Sequence, residues 1–265
     1  MVMNRHLPVL LLVMLVFTFP SFGQKWKLTR YEAHFGIGTA NVFGDIGGAP
    51  TQNNMLGLKD FRFKDTGLSF YAGARYKLKA NMAIKLNLIY GLARGTDAGS
   101  KNLEREISYH ASFFEPSVQY EYYFIGDYDR NNATFLYSRR GMINDYRTVT
   151  AYAFVGAGGV LSSPKVTFNG RPPIQGEYVK NGSVFSPVIP LGLGVKYAID
   201  RYWSIGFEVG RRFTFTDYID GFSTNWSSNN DTYYFGVFHA IYKLETDRYG
   251  VPLIFKRNRY GGPRR

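Results

Sequence analysis

Apolar and polar residues alternate along several stretches of this chain with a period of two. The alternation is clearest from Gly67 to Gly95, where two such runs flank the short reversal Ala80-Asn81. Residues of one parity are apolar throughout, at Leu68, Phe70, Ala72, Ala74, Tyr76 and Leu78 and then at Met82, Ile84, Leu86, Leu88, Tyr90 and Leu92. A period of two is typical of a strand with one apolar and one polar face. We therefore predict a β-hairpin here.

The same alternation predicts eight strands in all. Besides the hairpin, strands are expected over Tyr31–Phe43, His110–Ile125, Val149–Leu161, Ile189–Tyr197, from Trp203 onward and over Thr232–Leu244. The polar faces carry many glycines, at Gly36, Gly38, Gly73, Gly91, Gly192, Gly194, Gly206 and Gly210. Glycine fits the crowded inside of a narrow barrel better than a solvated face. The fold class predicted is all-β: a transmembrane antiparallel up-and-down barrel of about eight strands, with a periplasmic β-protein of reversed facing as the alternative.

The first residues carry the features of a secretory signal peptide. The polar, cationic residues Asn4 to His6 precede an apolar run from Leu7 to Phe19, and Ser21 and Gly23 supply small residues before Gln24. The run is shorter than the roughly 20 residues of a spanning helix, although a retained anchor is the alternative. We predict a signal peptide at residues 1–23, a barrel at 24–244, a basic periplasmic tail at 245–265 and a location in the outer membrane.

This topology assigns each connection to one side of the membrane. An even strand number returns both ends of the barrel to the periplasmic side, where the short turns at Ala80-Asn81 and Asp200-Arg201 also belong. The longer outer segments are expected to be Gly44–Thr66, Gly95–Ser108, Ser162–Phe185 and Asp217–Asp231. The link Gly126–Thr148 is an exception, because it is long and yet periplasmic. Either it is an unusual inward-facing loop or the strand count is wrong.

Composition restricts the chemistry available to the chain. It has 22 Phe, 21 Tyr and 29 Gly but no Cys, which excludes disulfides, thiolate metal sites and cysteine nucleophiles. The net charge of +12 could suit nucleic acid, but in an exported protein it favours lipid phosphates or an acidic partner. The expected partners are outer-membrane lipids such as lipopolysaccharide, with no nucleic acid and no cofactor.

The predicted inward faces carry charges of both signs. They lie at Glu32, Arg75, Lys77, Lys85, Glu115, Glu121, Lys196, Glu208 and Arg212, beside His34 and His239. An eight-stranded barrel is just wide enough to be filled by side chains, so these charges are expected to pair and close the lumen. A small pore is the alternative, although no run of one charge suggests a selectivity filter. The scattered histidines do not have the spacing of metal ligands, so no metal site is predicted.

One short motif suggests a different function. His110-Ala111-Ser112 is similar to the His-x-Ser motif of lipid A deacylases, which are eight-stranded barrels that attack an acyl ester from the membrane face. Both side chains are on the lipid-facing parity, and Glu104 and Glu106 are candidates for the carboxylate that such a hydrolase needs. The preferred interpretation is a barrel without catalysis, with an outer-membrane hydrolase as an alternative.

The C-terminal tail is the candidate binding segment on the periplasmic side. It combines cations with an aromatic residue and Gly and Pro, a composition that cannot build its own core. The candidate partner-binding residues are Lys256, Arg257, Arg259, Tyr260, Arg264 and Arg265. A solvated, disordered end is the alternative.

The opening strand carries a family resemblance. From Tyr31 to Asp45 it has a glutamate at Glu32, spaced glycines at Gly36 and Gly38, aromatic residues and then Gly44-Asp45. This pattern resembles the N-terminal signature of small outer-membrane barrels of Bacteroidota, the PorG-like proteins. The resemblance implies a role in type IX secretion, in which the barrel links the membrane to a periplasmic ring of PorK and PorN. It implies an anchor or assembly factor without catalysis, and the basic tail is not part of the pattern.

Overall fold

Eight long strands form a closed antiparallel barrel. In this computed structural model the described residues are 29–47, 65–79, 81–97, 106–125, 137–138, 141–142, 149–169, 172–200, 202–225, 230–247 and 251–253. The strands are β1 (Tyr31–Phe43), β2 (Gly67–Lys79), β3 (Met82–Thr96), β4 (Ile107–Ile125), β5 (Tyr137–Ser138), β6 (Gly141–Met142), β7 (Val149–Phe168), β8 (Glu177–Val179), β9 (Val184–Ala198), β10 (Trp203–Thr214), β11 (Phe222–Thr224) and β12 (Thr232–Leu244). The barrel order is β1-β12-β10-β9-β7-β4-β3-β2, so each barrel strand pairs with the next along the chain. The predicted eight-stranded up-and-down barrel is confirmed.

The short strands form two small separate sheets. β8 pairs with β11 through Phe222 and Val179, and β5 pairs with β6. Among the described residues, none lies in a helix with the length and apolar character needed to traverse a bilayer.

Pairing of the first and last strands defines the two ends of the barrel. Tyr31 pairs with Leu244, and we call this the inner end; the opposite end is the outer end. The short turns near residues 80 and 200 lie at the inner end, as predicted. The long 126–148 link joins β4 to β7 at that same end, and its described part contains the β5–β6 pair. Because the barrel closes with eight strands, the strand count was correct and the link is a long connection at the inner end.

Three predicted strands were too short. The strand expected over Ile189–Tyr197 is β9, which begins at Val184. β4 begins at Ile107 rather than His110, and β7 continues to Phe168 rather than ending near Leu161. The two strands stay paired as far as Ile107 and Phe168. Ser162, assigned to a loop from the sequence, lies within β7 and donates its hydroxyl hydrogen bond to the carbonyl of Ile219 at 2.9 Å. Residues 162–165 are Ser-Ser-Pro-Lys, which do not alternate between apolar and polar, so the sequence pattern does not predict a strand there.

The outward face of the barrel is apolar all the way round. Each of the eight strands contributes large apolar side chains that are about half exposed, including Phe35, Ile37, Phe70, Leu88, Val118, Val155, Leu193, Ile205, Phe207 and Phe238. Aromatic residues lie near the inner end of this belt, where Tyr31 contacts Tyr76 and Trp203 contacts Tyr242. The inward face carries the charged residues and the glycines. The outward and inward parities predicted from the sequence therefore agree with the burial of these strands.

Candidate functional site: the filled lumen

Glu32 is the centre of an ionic cluster in the inner half of the lumen. Its carboxylate accepts a hydrogen bond from the Arg75 guanidinium at 2.8 Å, and the amines of Lys77 and Lys196 lie 3.1 Å and 3.2 Å from its other oxygen. The strand register places Glu32 on β1 directly opposite Arg75 on β2 and Lys243 on β12. One buried carboxylate on β1 therefore contacts cations from β2 and β9 and lies opposite a further cation on β12.

Arg75 extends the cluster towards the far wall. Its guanidinium contacts both oxygens of Glu121 on β4, at 2.6 Å and 2.9 Å, which is the two-pronged geometry that arginine forms with a carboxylate. The hydroxyl of Tyr123 donates to Glu121 at 2.7 Å, and Arg75 also contacts the Tyr152 hydroxyl at 3.2 Å. The arginine thus has partners on β1, β4 and β7.

Lys85 and Glu208 extend the same ionic cluster across the middle of the lumen. The Lys85 amine lies 2.9 Å from Glu121 and 2.5 Å from Glu208, and the Tyr152 hydroxyl donates to the same Glu208 oxygen. The imidazole of His239 lies 3.8 Å from Glu208, and that of His34 lies 3.8 Å from Glu32. These contacts join the two histidines of the inward face to the same cluster.

A second, smaller polar cluster lies closer to the outer end. Glu115 accepts hydrogen bonds from Tyr233 at 2.9 Å and Ser117 at 3.3 Å, and the Arg212 guanidinium lies 3.6 Å from it. Arg212 also lies over the ring of Phe235, with 4.8 Å between its guanidinium carbon and the ring centroid. Here aromatic side chains share the lumen with the charges.

Two glycines show why the inward face is rich in this residue. A Cβ on Gly194 would lie 2.4 Å from the ring of Tyr152, and one on Gly206 would lie 2.5 Å from the His239 ring. Such distances are far below van der Waals contact, so only glycine leaves room for these rings. The lumen is therefore filled by large side chains from some strands that pack on glycines of others.

The outer half of the lumen also contains a buried hydrophobic cluster, which the sequence pattern did not predict. Phe113 stacks on Tyr233 with 5.8 Å between ring centroids, and Phe235 packs edge-on against Tyr233 at 5.3 Å. Ile46, Ile219 and Phe222, from the outer connections, are buried on the same cluster. The outer half of the barrel is thus closed by a hydrophobic core capped by its own loops.

Two buried aspartates hold this cap in place. Asp220 accepts backbone hydrogen bonds from Ile46 at 3.2 Å and Phe222 at 3.0 Å, and Asp231 accepts one from Ile219 at 2.8 Å. Burial raises the pKa of Asp220 to about 7, with further contributions from nearby aspartates. Burial and the charge of Asp220 raise the pKa of Asp231 as well. This aspartate pair was not singled out from the sequence, because its two members are eleven residues apart in a predicted loop.

The predicted lumen residues are all buried inside the barrel. The side chains of Glu32, Arg75, Lys77, Lys85, Glu115, Glu121, Lys196, Glu208 and Arg212 belong to residues that are 0% to 4% exposed. A water-filled channel would leave inward charges accessible to solvent, whereas these have partners of opposite charge. The arrangement joins strands across the lumen. The signal peptide and the tail residues Lys256, Arg257, Arg259, Tyr260, Arg264 and Arg265 lie outside the described residues.

The His110-Ala111-Ser112 motif lies on the outer surface of the barrel. His110 and Ser112 face outward and line an open groove of about 590 Å³ between the outer ends of β2, β3, β4 and β7. Within the described residues, no carboxylate lines this groove and none contacts His110. Glu106 is the residue immediately before β4, and Glu104 is outside the described residues. Across the described part of the chain, no group of three His, Asp or Glu residues has the geometry of a metal site.

These observations define a closed eight-stranded barrel with an apolar outer belt and a lumen filled by ionic and aromatic side chains. The chain belongs to the family described as Domain of unknown function (DUF6089), whose model matches residues 10–243. A comparison with curated proteins found no match.

Solved structures of several outer-membrane barrels are similar to this chain. Ail, the attachment invasion locus protein of Yersinia pestis, is 12% identical with a TM-score of 0.40, over 81% of this chain and 97% of Ail. Neisserial surface protein A is 13% identical with a TM-score of 0.40, over 80% and 96% of the two chains. The outer membrane enzyme PagL is 12% identical with a TM-score of 0.33, over 79% and 97%. Because these TM-scores are low, the fold of this chain is defined by its own strand pairing.

Proposed function

We propose that this protein is an outer-membrane barrel that acts as an anchor or assembly component, with a lumen closed to solutes. The observation that carries the proposal is the buried ionic cluster, in which Lys85 and Glu208 join opposite walls of the barrel. A barrel whose interior is fixed by ion pairs is a rigid membrane platform. Its working surfaces are then its two ends and its outer wall.

The outer surface supports the placement in a membrane. The barrel strands contain 12 to 20 residues, whereas about 9 to 11 tilted residues cross the hydrocarbon region. The apolar belt is continuous round all eight strands, and such a surface is far larger than a soluble monomer exposes. Aromatic residues at the inner edge of the belt, such as Tyr76 and Trp203, suit a membrane interface.

Planar bilayer recording tests the closed lumen. The full-length protein, refolded into bilayers beside a general porin as positive control, is expected to give no single-channel steps. Correct insertion is checked by the shift in gel mobility between heated and unheated samples. Regular steps of one size from the folded protein would contradict the proposal and favour the pore alternative.

A link to type IX secretion is the finer form of this proposal. Its support is the resemblance of Tyr31–Asp45 to PorG-like barrels. Inside the barrel, Glu32 belongs to the ionic cluster and Gly36 and Gly38 pack directly on β12. The resemblance therefore concerns the barrel interior, and a periplasmic partner has to be recognised by other residues. The basic tail at the inner end is the candidate.

The beginning of the tail packs against the barrel and should be kept in any truncation. The Tyr202 hydroxyl donates to Glu245 at 2.6 Å, and Thr246 forms a β-bridge with Pro252. We therefore compare the full chain with a truncation after Leu253, in pull-downs from native membranes. The matched control keeps the length and replaces residues 254–265 by a scrambled sequence of the same composition. Loss of periplasmic ring proteins with both variants supports docking by the tail, and unchanged capture on truncation contradicts it.

A lipid hydrolase is a second candidate function, favoured by one observation: His110 and Ser112 line the same membrane-facing groove. Mass spectrometry of lipid A after incubation with purified protein tests it. A hydrolase predicts loss of one acyl chain, and that loss should disappear in Ser112→Ala and His110→Ala. Intact lipid A with folded wild-type protein would exclude this function.

A further inference from the structure

Three basic side chains form a row across neighbouring strands at the outer end. Arg94 on β3 pairs with His110 on β4, which pairs in turn with Lys165 on β7. All three residues face outward and are exposed. Neighbouring strands are about 4.8 Å apart, so the row spans roughly 10 Å, which is the size of a phosphorylated sugar. Within the described residues, none of the three forms an ion pair.

Hydroxyl groups lie directly below this row. Two residues closer to the inner end, Ser112 on β4 pairs with Ser163 on β7 and, on its other side, with Leu92 on β3. Thr66 lies at the β2 side of the 590 Å³ groove that contains Arg94, His110 and both serines, and its hydroxyl donates to the Asn41 side chain at 2.8 Å. Among the described residues, the lining of the groove thus combines Arg94, His110 and the hydroxyls of Ser112 and Ser163, which are groups that bind phosphate oxygens, and it includes no carboxylate.

The groove opens onto the apolar belt. The next outward pair is Phe114 and Leu161, and Tyr90 lies opposite Phe114 on β3. All three are about 40% to 50% exposed, at 41%, 44% and 46%. A ligand that matches the whole surface therefore has a phosphate at one end and hydrocarbon at the other.

The position of these three basic residues along the barrel axis agrees with the headgroup region of the outer leaflet. Twelve residues along β4 separate His110 from Tyr122, which lies near the inner edge of the belt. At about 3.3 Å per residue and a tilt of about 40°, this distance corresponds to roughly 30 Å of height. The apolar band of such barrels is about 25 Å tall. The three basic side chains therefore lie just above it.

We propose that this groove binds a phosphorylated glycolipid of the outer leaflet, of the lipid A class. Arg94, His110 and Lys165 contact the phosphate, Ser112 and Ser163 bond to the headgroup, and the acyl chains lie along Tyr90, Phe114 and Leu161. The proposal concerns binding of the lipid and not its hydrolysis. This inference rests on the proposed placement in the outer membrane and adds a specific lipid to it.

Native mass spectrometry of the full-length protein in detergent tests the site. The probes are bisphosphorylated lipid A, the same lipid without its phosphates, and inorganic phosphate alone. The double variant Arg94→Gln/Lys165→Gln is compared with Lys79→Gln/Lys180→Gln, which removes the same charge at exposed positions outside the groove. We expect the first double variant to bind lipid A at least about tenfold more weakly and the control to stay within about twofold of wild type.

The outcomes separate the sources of binding. Equal loss in both double variants shows general charge attraction and overturns the proposal. Equal binding of the dephosphorylated lipid also overturns the proposal, because the site would then not recognise the phosphate. Inorganic phosphate that competes fully with lipid A overturns it as well, because the site would then bind any anion. Gel mobility before and after heating confirms that each variant is folded. Membrane fractionation, done separately, shows whether the placement in the outer membrane fails instead, since binding in detergent does not depend on it.

Discussion

The amine of Lys85 and the carboxylate of Glu208 lie 2.5 Å apart, although their strands are diametrically opposite in the barrel. β3 and β10 are four strands apart in either direction round the ring of eight. The ion pair is therefore a strut across the full width of the lumen. A second contact of this kind joins Tyr233 on β12 to Glu115 on β4.

Removing one member of the strut should strongly destabilise the barrel. Lys85→Met leaves Glu208 and Glu121 buried with one cation fewer, and breaking a buried pair in this way costs about 3–5 kcal/mol. The measurement is urea unfolding in lipid vesicles. Lys79→Met, at an exposed inner-end position, is the control and should change the free energy of unfolding by less than about 0.5 kcal/mol.

The double variant Lys85→Met/Glu208→Met tests whether the effect comes from the pair itself. Because it leaves neither of these two charges in the lumen, its loss of stability should be smaller than the sum of the two single variants. If the two single losses simply add, the residues do not act as a pair.

The strands of this fold could be predicted from the sequence wherever the two faces differ in polarity. On β3, the outward Ile84, Leu86 and Leu88 alternate with the inward Lys85 and Asn87, so both the strand and its facing were evident. On β7 the inward Tyr152 and Phe154 lie among alanines and glycines of both parities, so the alternation does not indicate which face is inward. Period-two reasoning fails there because small residues fit either face.

The contacts between distant strands could not be predicted. The sequence identified Lys85 and Glu208 as inward charges, but their pairing depends on strand register and on the size of the lumen. In the outer half, the inward Tyr233, Phe235 and Val237 are as hydrophobic as a lipid-facing surface. Their packing against Ile219 requires the fold of a connection that has no periodic pattern.

Gly194 should not tolerate even a methyl group. In Gly194→Ala the new Cβ would lie 2.4 Å from the Tyr152 ring, which is held by Arg75 and Glu208, so we expect a loss of at least about 2 kcal/mol. Gly236→Ala is the matched control, because its Cβ would face outward with its nearest neighbour, the Thr39 hydroxyl, at 3.3 Å. Comparable stability of the two variants in urea unfolding would contradict the tight packing of Tyr152.

Tyr233→Phe should weaken the second strut without making a cavity. The change removes the hydroxyl that donates to Glu115 at 2.9 Å and leaves that carboxylate with Arg212 and Ser117. Loss of one hydrogen bond to a buried charge is expected to cost about 1.5–3 kcal/mol. Tyr178→Phe, at an exposed position in β8, should have almost no effect on the same unfolding measurement. Equal effects of the two variants would argue against a specific role of the hydroxyl.

The loop cap at the outer end should become more stable as the pH falls from about 7 to about 4. The pKa of Asp220 is about 7 in the folded protein against 3.8 for an ordinary aspartate, so the folded cap holds a proton that the opened cap releases. Its contribution is fully present below about pH 4 and is lost as the pH rises through 7; the raised pKa of Asp231 acts with the same sign. Hydrogen-exchange protection of the Ile219 and Phe222 amides, measured at pH 4.5 and pH 7.5, reports this change.

Asp231→Asn provides the control for this pH dependence. Oxygens of Asp220 and Asp231 both lie against Gly44, within 2.4 Å and 2.6 Å of the point where its Cβ would be, so the two groups face each other. An asparagine can keep one oxygen on the Ile219 amide and donate an N–H to Asp220, which replaces the proton that the pair needs. The variant should therefore show a smaller difference in protection between the two pH values than the wild type, and burial of Asp220 should preserve part of that difference. If wild-type protection is already independent of pH between 4.5 and 7.5, the aspartate pair does not control the cap.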